Sequence, residues 1–453
     1  MRNTIWVLFL LVIVLSGCKK YLNTIADGSL TVPATVDDYQ SLLDNHQLTE
    51  KVTPGLGPLG ITDWYTDSAS WASAETMSKG AYGWDPSIYQ PANGSSWSTA
   101  YQAIYTCNVI IAGIQRVPAP DKDTRIAANA VLGGALFIRS LLFYYLEETF
   151  GQPFRPATAA VDAGIPLRTS SDPTQPAPRA TVQAVFKQID ADLMQAVSLL
   201  PAALQVNNPN RPCQSAALAL LARSCLTQQN YPQARKWADS SLRLYPVLLD
   251  YNTLDSSAAY PFPTRENPEV LFQCSTLAYK LQYSTSSKVD SNLYRSYDPN
   301  DLRRVFFFSP APGGGVNFKG YYTGVRYIFS GIATDEVYLM RAECAARAGD
   351  IAAALADLNA LLSQRWRKGF FQPLTAQSGD EALRLVVRET RKETLFRELR
   401  WADQRRLSKD ARFADTLIRT VGGSVRLLPP NSPRYTYLIP DEEVRLGGVA
   451  QNP

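Results

Sequence analysis

Histidine is nearly missing from this 453-residue chain: His46 is the only one. Any Ser-His or Cys-His nucleophilic system would have to use that residue, and no Gly-x-Ser-x-Gly turn occurs. The six cysteines are scattered, with no Cys-x-x-Cys pair and no imidazoles beside them. Neither a zinc site nor a dense disulfide framework is therefore expected. An excess of charge of one sign is lacking too. With 45 basic against 41 acidic residues, the formal charge of +4 gives no footprint for nucleic acid. Gly55-Leu56-Gly57-Pro58-Leu59-Gly60 spells a dinucleotide fingerprint, but no buried strand precedes it and no apolar helix follows. No cofactor is expected. Two carboxylates suffice for a glycosidase, so 41 acids do not exclude one, yet no pair stands out.

What the chain has in quantity is apolar and aromatic. Its residues are 45% hydrophobic, with 8 Trp, 23 Tyr and 17 Phe, enough for one large core or two ordinary ones. Two stretches, 217–242 and 337–362, read alike. Ala222 falls on Ala342 and Ala234 on Ala354, and between each pair lies a turn, Gln229-Asn230 in one and Gly349-Asp350 in the other. Small residues at those places let two antiparallel helices approach closely, which is the spacing of a tetratricopeptide-like pair.

Helical periodicity also covers 97–114, where Trp97, Tyr101, Ile104, Tyr105, Asn108, Ile111 and Ile114 share one side. It continues over 125–150, over 182–200 behind a Thr181 cap, and as one long helix over about 379–407. Thr35 is a further cap. Two regions break the pattern, about 49–93 and 247–333, rich in Gly, Ser, Pro and aromatics. The expected class is mainly α: about eight helices in a tetratricopeptide-like superhelix, with long irregular insertions and a few short strands. Residues 18–453 are read as one domain.

The first 17 residues are read as an export signal. Arg2 precedes an apolar run, 5–15, too short to cross a bilayer. Leu15-Ser16-Gly17-Cys18 has the form of a bacterial lipobox, so Cys18 is expected to carry lipid and anchor the chain without spanning the membrane.

The best candidate for binding is aromatic. Trp64, Tyr65, Trp71, Tyr82, Trp84 and Tyr89 crowd a loop-rich stretch, where rings could stack on sugar C–H faces while Asp63, Asp67 and Asn93 bond hydroxyls. Tyr279, Tyr283, Tyr294 and Tyr297 form a second set, and 298–303 beside them has the form of a turn with Asp–Arg pairing. In the charged stretch 389–406 the signs alternate, and Glu393 with Arg397 has the spacing of a helix ion pair. Its Glu389, Arg400 and Asp403 are expected to brace the fold.

That stretch carries a resemblance. Glu389, Glu393, Phe396, Arg400, Asp403 and Arg406 occupy the places of the closing signature of the RagB/SusD family of outer-membrane nutrient-binding lipoproteins. Leu339, Ala342, Glu343, Gly349, Ala354, Leu358 and Asn359 are similar to a second family pattern, and 437–440, Glu443 and 451–453 resemble its final segment. Arg397-Glu398 stands where the family usually has Glu-Gly. The resemblance implies a tetratricopeptide-like scaffold whose loops bind a glycan or a peptide without catalysis. It also implies a partner, a SusC-like TonB-dependent transporter in the outer membrane. The rival expectation is a scaffold that holds a protein in its helical groove.

Overall fold

The computed structural model describes residues 33–86, 88–89, 95–264 and 266–452. The signal stretch, Cys18 and Asn93 lie outside the described residues.

Eight helices of 13 residues or more form the frame: α1 Ser95–Ile114, α2 Lys122–Phe150, α3 Val182–Leu199, α4 Gln214–Thr227, α5 Tyr231–Leu244, α6 Thr334–Arg347, α7 Ile351–Ser363 and α8 Gly379–Glu393. Side-chain caps start five of them. Asp121, Thr181, Asn230, Asp350 and Ser378 accept N–H groups that the first turn would otherwise leave free. Each helix packs on the next from α1 through α7, and α8 returns to α6. Helix α2 is long and apolar enough to cross a membrane by length and composition, but residues 133–150 are all buried in the core.

The paired alanines do what their spacing requires. Ala222, Ala234, Ala342 and Ala354 are all fully buried. The reversals between the helices use left-handed backbone at Gln229 (φ 60°) and Gly349 (φ 78°). All five described cysteines are buried free thiols.

The strands are short and come in antiparallel pairs. One pair matters for the site: Trp64–Tyr65 lies against Lys288–Val289, so the first insertion is stitched to the second. Thr53 makes a parallel bridge to Thr276, a second stitch between the insertions. The first insertion is less irregular than expected, because it contains the short helices Gly57–Gly60, Ser68–Ser73 and Thr76–Gly83.

The expected single helix over 379–407 is corrected by the structure. Helix α8 stops at Glu393, the backbone turns left-handed at Phe396 (φ 53°) and Glu398 (φ 52°), and a second helix runs Arg400–Leu407. Such non-glycine conformations cost about 1–3 kcal/mol each, and here charge pairing compensates. Glu393 takes Arg303 at 3.0 Å and Arg365 at 2.6 Å, while Arg397 turns away to Asp335, its Nη2 at 2.9 Å. The expected Glu393–Arg397 pair does not form.

Candidate functional site

Most of the expected aromatic platform is inside the protein. Trp64, Tyr82, Trp84 and Tyr89 are 3% exposed or less. Trp64 Nε1 donates to the Pro58 carbonyl at 2.9 Å and Trp84 Nε1 to the Gly60 carbonyl at 2.8 Å, so both indoles are satisfied internally. Three of these rings already hold a cation, and it belongs to this chain. The Arg419 guanidinium lies 3.8 Å from the Tyr82 ring centre, 4.8 Å from Trp84 and 5.9 Å from Trp64. It donates to the carbonyls of Leu59, Ile61 and Tyr82. No carboxylate pairs with it among the described residues, and burial lowers its pKa to about 10. The cage therefore locks the hairpin Leu417–Val421/Ser424–Leu428 onto the first insertion, with cation–π attraction in place of a salt bridge. Trp71 is half-buried beneath Gly422 at the tip of that hairpin, and Tyr65, 40% exposed, is the most exposed ring of the set.

In the second set, Tyr294 and Tyr297 are likewise committed to packing. Tyr297 is buried and donates to the Lys392 carbonyl at 2.8 Å. Tyr294 is half-buried, with the Arg304 guanidinium 4.8 Å from its ring centre. Asp63 is fully buried and pairs with Arg391 at 2.7 Å, so it does not face a ligand.

The closing signature forms a buried web. Arg303 binds Asp301, as the turn at 298–303 leads one to expect, and also Glu389 and Glu393. Arg365 joins Glu393 to Glu269. Arg406 binds Asp403 and Glu343, and Arg400 lies 3.5 Å from Asp63. Burial pushes the Glu343 and Glu389 carboxyls up, but Arg406 with Arg347 and Arg303 with Lys392 outweigh it and hold both at about 2. Phe396 is buried against Phe318, ring centres 4.9 Å apart. These residues join the helical frame to the second insertion.

In front of this interior, a cleft of about 710 Å³ opens where the two insertions meet. Ser70, Ser73 and Glu75 line it from the first insertion, Ser95 from the start of α1, and Tyr279, Lys280 and Ser284 from the second. Its walls are preset. The Asp67 carboxylate accepts from the Ser70 N–H at 2.8 Å and the Ser70 hydroxyl at 3.0 Å, and these bonds, with Ser286, keep its pKa below the ordinary range. The Tyr279 hydroxyl shares a hydrogen bond with Ser96 at 2.6 Å, and burial raises it to about 12. Gly55 permits the close approach, since a Cβ there would overlap the Leu277 carbonyl oxygen. Lys280 and Glu75 are exposed at the cleft, and among the described residues neither forms an ion pair.

Hydroxyls, one ammonium and one carboxylate can bond a polyol. Among the described residues, Glu75 is the one carboxylate in this lining. Of this lining the sequence marked Tyr279 alone, because isolated serines carry no signal. The legible marks were structural, the Asp67 cap and Gly55.

The helical frame with stitched loop insertions defines the class to which the chain is compared. Its fold matches a SusD superfamily protein from Bacteroides thetaiotaomicron (22% identity, 93% of this chain and 100% of that one covered, TM-score 0.70). It also matches a SusD-like carbohydrate binding protein from Bacteroides vulgatus (19%, 92% and 97%, TM-score 0.68). A third match is the surface glycan-binding protein A from Bacteroides fluxus (17%, 93% and 100%, TM-score 0.70). At these identities the matches speak for the fold. A SusD-like family model, described as "Starch-binding associating with outer membrane", matches residues 20–226. No curated protein sequence matches the chain. Over nearly its whole length the chain therefore has the fold of SusD superfamily proteins, and its stretch 20–226 is similar to the SusD-like family.

Proposed function

We propose that the protein is an outer-membrane lipoprotein, anchored through lipid on Cys18, that binds a nutrient glycan between its two loop insertions. It delivers the glycan to a TonB-dependent transporter and does not turn it over. The observation that carries this reading is the cleft itself: a preset, hydroxyl-rich cavity of about 710 Å³ with a single carboxylate, mounted on a rigid helical frame. The family's starch-binding description and the glycan-binding relatives support the ligand class. The lipobox at 15–18 supports the anchor.

Calorimetric titration with a panel of soluble oligosaccharides, malto-oligosaccharides among them, tests the reading. Saturable binding with the sugar recovered intact is expected, and release of shorter products would overturn it. Cys18→Ser tests the anchor separately, by moving the protein from the membrane fraction to the soluble one. Co-purification with a membrane barrel tests the transporter, and capture of a soluble client instead would favour the scaffold reading.

A further inference from the structure

A second cleft, of about 320 Å³, lies on the flank of the frame between α1 and the proline-rich connector around 167–177. It shares no lining residue with the loop-face cleft. Its floor is the stripe that α1 presents on successive turns, Trp97, Tyr101 and Tyr105. The first two are buried, whereas Tyr105 is 42% exposed.

The opposite wall is pinned to the helix. The Tyr101 hydroxyl donates to the Pro166 carbonyl at 2.8 Å. Asn108 Nδ2 donates to the carbonyls of Arg168 and Ser170 at 2.8 and 3.1 Å, and its Oδ1 accepts from Arg139 Nη1 at 2.8 Å. Arg139 is itself held by both oxygens of Asp192. The Tyr101 and Asn108 side chains at the base are thus used in holding the connector. The groups nearer the opening are not. Among the described residues, the Tyr105 hydroxyl and the side-chain amides of Gln102 and Gln175 have no protein hydrogen-bond partner. An exposed ring face beside uncommitted neutral donors and acceptors is the lining of a small-molecule site, and the volume falls at the low end of the ~300–1,000 Å³ range of such sites.

Charge narrows the class. The lining holds one cation, Arg168, against two carboxylates, Asp172 and Glu443, and Arg168 lies 3.7 Å from Glu443 with its guanidinium 5.7 Å from the Tyr101 ring centre. An anionic ligand would meet a net negative surface. We infer that the flank cleft is a second saccharide site, separate from the loop face, which takes one or two rings of a neutral sugar stacked on Tyr105 and bonded by Gln102 and Gln175.

The test is calorimetric titration with maltose, cellobiose, xylobiose and mannobiose, with a digalacturonate and a proline-rich decapeptide as competing classes. At least one neutral disaccharide should bind saturably. Tyr105→Ala should weaken it at least fivefold with the melting temperature unchanged, Gln102→Ala should weaken it less, and Lys280→Ala on the loop face should leave it alone. The inference is overturned if no neutral disaccharide binds, if Tyr105→Ala leaves binding intact, or if the Tyr105-dependent ligand is the uronate or the peptide. Failure of the loop-face reading would show separately, as long oligosaccharides whose binding ignores Lys280→Ala.

Discussion

The interior behind the loop face and the cleft in front of it are built from opposite residue types. Behind stand large rings and arginines: Trp64, Tyr82 and Trp84 around Arg419, and Arg303 and Arg365 among five carboxylates and Tyr251. In front stand serines, one lysine and one glutamate, with Tyr279 and a few alanines and leucines among them. The difference follows from what each must do. Loops without a regular hydrogen-bond ladder need another source of rigidity, and buried rings and charge-assisted hydrogen bonds supply it. The lining then needs only short polar groups, because the backbone beneath has already fixed their positions. Residues that look most like binding groups in such a loop can therefore be its skeleton.

This contrast can be broken from the inside first. Arg365→Ala leaves Glu393 and Glu269 without their shared cation, and should lower unfolding free energy by about 3–5 kcal/mol in chemical denaturation. Trp84→Ala empties a site that is 2% exposed and should cost about 3–5 kcal/mol. Lost glycan affinity with full stability in that variant would return Trp84 to the binding surface and break the comparison.

A pH titration sharpens it further. Burial raises Glu398 from 4.5 to about 8, opposed by the Thr53 hydroxyl, which donates to it at 2.6 Å. The folded chain keeps a proton there that the unfolded chain releases. This contribution is fully present below pH 4.5 and is lost as pH rises toward 8, at up to about 1.4 kcal/mol per pH unit. Glu398→Gln should flatten stability over that window; an unchanged slope would contradict the assignment. The smallest effect on folding belongs to the lining. Lys280→Ala should change stability by less than about 0.5 kcal/mol and weaken oligosaccharide binding by about 0.5–1.5 kcal/mol, read by calorimetry.

The frame was legible in the sequence for physical reasons. Helix pairs announce themselves through period, cap and turn, and Ala222, Ala234, Ala342, Ala354, Thr181 and Gly349 each sit where those rules put them. The break after Glu393 was not legible, because its cause is long-range. Asp335, Glu336, Arg303 and Arg365 approach from 28 to 90 positions away and pull Glu393 and Arg397 to different sides. The aromatic stretch misled for a related reason. Its rings are buried by Arg419, more than 330 residues further on, and that partner has no mark in the local sequence.

The central claim, glycan capture in the loop-face cleft without turnover, is tested most directly by one titration. A long oligosaccharide is added to the wild-type protein and to Lys280→Ala, with the sugar recovered and sized by chromatography afterwards. The account predicts saturable binding, weaker in the variant, and intact sugar in both. Shortened sugar, or binding that is indifferent to Lys280, would contradict it.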